Sequence, residues 1–133
     1  MNDHQKLREL AIEASKNSHS PYSNAQVGSA IQMESGQYFS GCNIENSSFG
    51  GTVCAERVAI FKAVSQNEKS ISKIYVYTKA GWPPCGLCLQ VMTEFSDNEL
   101  EVIIGNEAGD EKKVLIKDLL PLAFTPDTYH TKE

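Results

Sequence analysis

Three cysteines and one glutamate carry the most pointed chemistry in this sequence. Cys54 and Glu56 lie in Thr52-Val53-Cys54-Ala55-Glu56-Arg57, and Cys85 and Cys88 in Pro84-Cys85-Gly86-Leu87-Cys88. Residues three apart in a helix share a face, so Cys85 and Cys88 would present their sulfurs together. If each segment opens a helix, all three thiols sit where unpaired N–H groups and the macrodipole favour the thiolate. Three sulfur ligands leave one tetrahedral position of zinc open to water, the layout of a catalytic rather than a closed structural site. Glu56 is close to that position and spare as a ligand, which makes it a candidate proton carrier. Three thiolates would leave such a site net negative, and Arg57 is placed to donate hydrogen bonds to the sulfurs and offset that charge. Singly, these features are ordinary. A C-x-x-C pair also fits two buried small residues, a redox motif or half a structural zinc site, and Glu56-Arg57 also fits a solvated helix surface.

The elements needed to position these groups can be read from periodicity. Leu7, Leu10, Ala11 and Ala14 recur at helical spacing, predicting a helix over 3–17 with Leu7, Leu10 and Ala14 facing inward. Pro21 in Ser18-His19-Ser20-Pro21-Tyr22-Ser23 ends that run. Strands are predicted over 26–33 and 37–43, and the short Glu34-Ser35-Gly36 connection makes them an antiparallel hairpin. The polar stretch 44–52 reads as a loop. A helix over 54–66 follows, with Val58, Phe61 and Val64 or nearby positions expected to be buried. The β-branched and aromatic run 71–78 predicts a buried strand. Pro84 suits a first helical turn, opening a helix over 85–95. Strands over 100–104 and 113–116 are joined by too few residues for a parallel crossover, so that pair is antiparallel. A short helix starts near Lys117, and the chain from Pro121 reads as irregular. The order α-β-β-α-β-α-β-β predicts an α/β fold, a three-layer α/β/α sandwich with a mixed five-stranded sheet and helices on both faces.

Composition narrows the partners. With 133 residues, 41% hydrophobic and 22% charged, the chain fits one domain, 1–133, of an ordinary globular protein. No apolar run approaches the roughly 20 residues that cross a bilayer, and the N-terminus lacks the layout of a signal peptide. A cytoplasmic protein is expected, with no membrane partner. The formal net charge is −5. Nucleic-acid binding draws on neutralised phosphates, so an acidic chain without a basic cluster favours a small neutral ligand instead. Four cysteines, at 42, 54, 85 and 88, in a reducing compartment point to metal or catalysis rather than disulfides.

In combination, C-A-E before one helix and P-C-x-x-C before the next is a specific pattern, the signature type of the zinc-dependent nucleobase deaminases. The sequence resembles the short, homotetrameric cytidine deaminases from about Ser20 to Pro126. Its anchors are Ser20-Pro21-Tyr22-Ser23 with Val27-Gly28, Gly41-Cys42-Asn43-Ile44-Glu45-Asn46, Cys54-Ala55-Glu56-Arg57, Pro84-Cys85-Gly86-x-Cys88-x-Gln90 and Leu119-Leu120-Pro121. The resemblance implies zinc held by Cys54, Cys85 and Cys88, and hydrolytic deamination of cytidine or 2′-deoxycytidine to the uridine, as in pyrimidine salvage. It implies that Glu56 takes a proton from the attacking water and delivers protons to ring N3 and the leaving amine. The Ala55 N–H would bind the pyrimidine O2, and Asn43 and Glu45 would hold the sugar hydroxyls. Phe124 would stack on the base in a neighbouring subunit's site, in a homotetramer. Cys42 and the histidines 4, 19 and 130 match no catalytic position. Trp82, just before the second cysteine segment, fits either a cover over the pocket or surface packing.

The chain departs from that pattern at three positions. Ala25 stands where the family generally carries phenylalanine, Leu89 where an arginine is common, and Phe49 where a tyrosine is usual. None is a ligand or the proton carrier, so the departures bear on substrate range. Ala25 would enlarge the base site and admit cytidines substituted on the base. Two other readings compete. A deaminase of a modified cytidine or another aminopyrimidine nucleoside, such as blasticidin S, shares all the zinc chemistry. A non-catalytic, zinc-stabilised binding module would need a fourth ligand, for which Cys42 and His19 lack the spacing, and it leaves Glu56 without a role.

Overall fold

In the computed structural model, which describes residues 2–125, a five-stranded sheet runs in the order β2-β1-β3-β4-β5. The strands are β1 (Gly28–Met33), β2 (Tyr38–Cys42), β3 (Ile71–Tyr77), β4 (Glu101–Gly105) and β5 (Glu111–Leu115), and the helices are α1 (Asp3–Ser15), α2 (Ala55–Ser65), α3 (Gly86–Glu94) and α4 (Ile116–Leu119). The β1-β2 hairpin and the β4-β5 pair are antiparallel, as the connection lengths predict, and β1 also pairs antiparallel with β3. The sheet is mixed because β3 and β4 run parallel. Their connection is a crossover through α3, which supplies the length that parallel neighbours require.

Alternation along the strands sorts the core into two layers. On one face, Ala30, Tyr75 and Ile103 pack with Leu7 and Ala11 of α1. On the other, Ile31, Ile74, Val76, Val102 and Ile104 pack with Ala59, Ile60 and Ala63 of α2 and with Cys88, Leu89 and Met92 of α3. This is the α/β/α sandwich. Leu89 is thus core rather than a support for the site. No helix among the described residues is long and apolar enough to cross a membrane.

One predicted helix face needs correcting and a second is refined. In α1 the buried residues are Leu7, Ala11 and Ser15, while Leu10 and Ala14 are only partly covered. Close approach explains the shift. A Cβ on Gly28 would lie 1.8 Å from the Ala11 carbonyl oxygen, so the helix backbone rests directly on β1. In α2 the fully buried residues are Ala55, Glu56, Ala59, Ile60 and Ala63, positions neighbouring the expected ones; Val58 is only partly covered, Val64 packs partly buried against the core, and Phe61 is exposed. Again a glycine sets the distance. A Cβ on Gly41 of β2 would meet the Ala59 nitrogen at 2.7 Å and the Ala55 oxygen at 2.9 Å, so alanines, not larger residues, face the strand.

The N-terminal helix is fixed at its start and along its length. Asn2 caps it, accepting from the Gln5 N–H at 2.8 Å while the Gln5 side chain takes the Asn2 N–H in return. Arg8 donates to the Tyr75 hydroxyl at 2.7 Å and to the Asn106 carbonyl at 3.1 Å. Tyr75 in turn donates to Glu111, whose other oxygen meets His4 Nε2 at 2.7 Å. Burial, then the bond to Glu111, pushes the Tyr75 hydroxyl up to about 12.

Candidate metal centre and substrate cleft

Both cysteine segments run into helix starts, as the sequence predicts. Cys54 is the N-cap residue of α2 and Cys85 that of α3, each with extended backbone, and Cys88 lies in the first turn of α3. Helix starts leave N–H groups unpaired and carry partial positive charge, so the fold delivers three sulfurs to two electropositive ends. Their Sγ atoms lie within 4.8 Å of one another, with Cys54 to Cys85 at 3.6 Å and Cys85 to Cys88 at 3.4 Å.

Close approach and mutual hydrogen bonding shift the thiols of this cluster. The hydrogen bond from Cys88, with help from Arg57 and Cys85 and against the effect of burial, brings the Cys54 thiol down to about 5. The Cys88 thiol is pushed up by its bond to Cys54, by burial and by the charge of Glu56. Sulfurs this close cannot all ionise by themselves; a divalent cation among them removes that conflict. Arg57 donates from Nη2 to Cys54 Sγ at 3.5 Å, while its buried Nε has no hydrogen-bond partner among the described residues. Thiolate donors, one open side and an arginine at the sulfurs all suit zinc.

Glu56 is 3% exposed. Burial pushes its carboxyl up to about 7, with the Cys54 thiolate adding to the effect and a backbone hydrogen bond opposing it. A carboxyl that titrates near neutrality takes and returns protons with little driving force lost in either direction.

A cleft of about 260 Å³ opens over Cys54, Glu56 and Cys85. Its walls include Ala25, Val27, Asn43, Glu45, Ala55 and Trp82. Ser23, Glu45 and Thr52 also border an outer groove of about 420 Å³, where Tyr22 and Phe49 meet edge to face at 6.0 Å. A larger cleft of about 530 Å³ beside α3 and α4 holds none of the cysteines, so size does not choose the site; the sulfur cluster does.

Asn43 is buried and Glu45 half-buried. Asn43 Oδ1 accepts from the Val27 N–H at 3.0 Å and from Ser18 Oγ at 2.5 Å, and Nδ2 donates to the Ala25 carbonyl at 2.9 Å. Glu45 Oε1 accepts the N–H groups of Tyr22 and Ser23, and Oε2 accepts from Ser23 Oγ. Asn43 and Glu45 both line the cleft, as the sequence leads one to expect, whereas their serine partners, Ser18 and Ser23, carry no such signal in the sequence.

These observations meet the comparisons with known proteins. The model of the cytidine and deoxycytidylate deaminase zinc-binding region matches residues 1–104. The chain belongs to this family. It is 44% identical to the cytidine deaminase of Halalkalibacterium halodurans, over 94% of this chain and 96% of that protein. The cytidine deaminase of Sporosarcina psychrophila is 39% identical over 94% and 93%. Among solved structures, the cytidine deaminase of Burkholderia pseudomallei superposes with a TM-score of 0.88 at 40% identity, covering 93% of this chain and all of that one. The Mycobacterium tuberculosis enzyme gives 0.81 at 32% identity, covering 93% and 98%.

As a family member the chain is a zinc-dependent deaminase, and Cys54, Cys85 and Cys88 form a cluster able to hold the ion. Of the other predicted site residues, the structure brings Asn43, Glu45, Ala55 and Glu56 to the cleft and leaves Phe124 outside it. Phe124 is exposed, and its carbonyl accepts from Gln90 Nε2 at 2.6 Å. Of the departures from the pattern, Ala25 lines the cleft and Phe49 is exposed on the outer groove. Trp82 is at the cleft mouth, where Thr78 Oγ1 accepts the N–H groups of Gly81 and Trp82 and so fixes the turn; nothing in the sequence marked Thr78. Cys42 is a half-buried strand residue, and His130 lies outside the described residues.

Proposed function

We propose that this protein hydrolyses the exocyclic amine of cytidine and 2′-deoxycytidine, giving the uridine and ammonia, with zinc held by Cys54, Cys85 and Cys88. The observation that carries this reading is the buried Glu56 beside three converging sulfurs at the floor of a nucleoside-sized cleft. Zinc bound there supplies Lewis acidity and brings water to ionise near neutral pH.

The chain's own residues do the rest. Glu56 accepts a proton from the attacking water as the water oxygen bonds to C4, and returns that proton to ring N3. It then takes the second proton of the same oxygen and delivers it to the departing nitrogen as the C4–N bond breaks. One carboxyl is base in one half of the reaction and acid in the other, a role suited to a buried side chain beside the reacting atoms. The Ala55 N–H, the first of α2, is among those without an intrahelical partner and supports the pyrimidine O2.

The hydrogen-bond inventory around the sugar site has a definite valence. Asn43 retains one N–H beyond its bonds to the protein, and Glu45 one accepting position on Oε2. One donor and one acceptor satisfy one hydroxyl, so the pair does not require both hydroxyls of a ribose. Phe124 completes the base site of a neighbouring subunit in a homotetramer, consistent with its exposure and its place outside its own cleft.

A second reading concerns the base. Ala25, Val27 and Val76 give the cleft a small apolar wall, which favours tolerance of cytidines substituted on the ring. If Ala25→Phe left the ratio of cytidine to substituted-cytidine turnover unchanged, this reading would fail.

The decisive experiment measures zinc per chain and follows ultraviolet absorbance on addition of cytidine, 2′-deoxycytidine and a substituted cytidine. One zinc per chain and loss of the aminopyrimidine spectrum are expected. Glu56→Gln should keep its zinc and lose on the order of 10²–10⁴ in turnover. Zinc without turnover of any of the three would overturn the cytidine assignment.

A further inference from the structure

Glu45 is held at its backbone from two sides. Its N–H donates to the His19 carbonyl at 2.8 Å, and the preceding Ile44 exchanges both hydrogen bonds with Val53 at 2.9 Å each. Those bonds fix where the side chain starts but not how its carboxylate turns. The orientation comes from the Ser20–Ala25 segment. Tyr22 and Ser23 give their N–H groups to Oε1 at 3.0 and 3.1 Å, and the Ser23 hydroxyl reaches Oε2 at 2.5 Å. The direction of that hydroxyl is itself fixed, because Ser23 Oγ accepts the Ala25 N–H at 3.0 Å and so turns its proton toward Glu45.

The place matters as much as the bonds. Ser23, Glu45 and Thr52 are the residues common to the inner cleft over the sulfurs and the outer groove between Tyr22 and Phe49. On the reading proposed above, a nucleoside with its base over Glu56 would put its sugar at that junction.

We propose that Ser23 is a positioning residue for the sugar site: its hydroxyl sets the Glu45 carboxylate so that the remaining accepting position on Oε2 faces a sugar hydroxyl. The inference rests on the reading of Glu45 as the sugar's acceptor. Without the serine hydroxyl, Oε1 keeps its two backbone donors, but Oε2 loses the bond that orders it and is hydrated in its place. Ser23 acts through Glu45 and not on the reacting atoms, so the loss falls on binding.

The test compares Ser23→Ala, Ser23→Thr and Glu45→Gln on cytidine and on 2′,3′-dideoxycytidine, which lacks both secondary hydroxyls. Ser23→Ala should raise KM for cytidine roughly tenfold, the scale of one hydrogen bond to a charged group, with kcat within about twofold. Its effect on the dideoxy substrate should stay under about twofold, and Ser23→Thr should restore most of the cytidine KM. A fall in kcat shared by both substrates would make Ser23 only a loop-stabilising residue and overturn the proposal. A raised cytidine KM in Glu45→Gln but not in Ser23→Ala would also overturn it, leaving the reading of Glu45 intact. No effect of Glu45→Gln on cytidine would remove that reading and this inference together.

Discussion

Arg57 lies one helical turn from Cys54 and points its guanidinium back at that sulfur, with Nη2 at 3.5 Å from Sγ. The contact places a permanent positive charge against a cluster that must carry negative charge to hold a cation. Removing it should weaken zinc binding without removing a ligand. Arg57→Ala is expected to lower zinc affinity about 10–100-fold, the usual effect of losing a partner behind a metal ligand. Competition with a chromogenic chelator measures this; an unchanged affinity would mean that the arginine serves packing alone.

Asn43 ties together segments that are far apart in sequence, through Val27, Ala25 and Ser18. Asn43→Ala leaves the Val27 N–H and the Ala25 carbonyl unpaired, which should cost about 2–3 kcal/mol and lower Tm by roughly 10 °C. Asn43→Asp keeps the two accepted bonds and loses the donor, so it should melt higher than the alanine variant while still raising KM for cytidine. Thermal melts beside steady-state kinetics separate the two roles.

Glu111 gives the fold a dependence on acid. Partial burial works to raise its carboxyl, but the bonds from Tyr75 and His4 and the charges of His4 and Arg8 outweigh it and hold the group below the usual carboxylate range. A folded value below the unfolded one means that the unfolded chain binds protons first as pH falls. The stabilisation is therefore complete above the ordinary glutamate range, near 4.3, and is lost as pH falls through the lower folded value. Glu111→Gln should reduce Tm by several degrees at pH 7, and the difference from the parent should shrink toward pH 3. A difference independent of pH would show that charge is not the cause.

Gly28 has no room for a side chain, since a Cβ would meet the Ala11 oxygen at 1.8 Å and the Ser15 nitrogen at 2.9 Å, both backbone atoms. Gly28→Ala must push α1 off the sheet and should cost about 3 kcal/mol or more. Gly50→Ala is the matched control, because nothing lies within 4 Å of its added Cβ, and it should change stability by less than about 0.5 kcal/mol. Equal melts for the two would refute the close approach of α1.

What the sequence disclosed follows from how locally each feature is encoded. The metal cluster was legible because Cys54, Cys85 and Cys88 lie beside the helix starts that gather them, and Glu56 because it shares a turn with Cys54. The hairpin and the antiparallel β4-β5 pair followed from connection length. Helix faces were harder. Val58 and Phe61 look more buried than Ala59 and Ala63 on hydrophobicity alone, and only the glycine opposite, Gly41 on β2, reverses the order. The parallel β3-β4 pair was not identified, because α3 was recognised as the cysteine-bearing helix and not as a crossover. The bonds of Ser18 and of Ser23, the latter part of an anchor motif, are not legible because they span 25 and 22 residues, and no local pattern marks a hydroxyl for a partner that distant.

Trp82 is the single tryptophan of the chain, half exposed at the mouth of the cleft. All indole emission from this protein therefore originates at the entrance to its candidate substrate site. A nucleoside entering the cleft changes the solvation of that ring, so occupancy is readable from intrinsic fluorescence without a label or turnover. The same signal reports binding in variants that no longer react, which lets affinity be measured where catalysis has been removed.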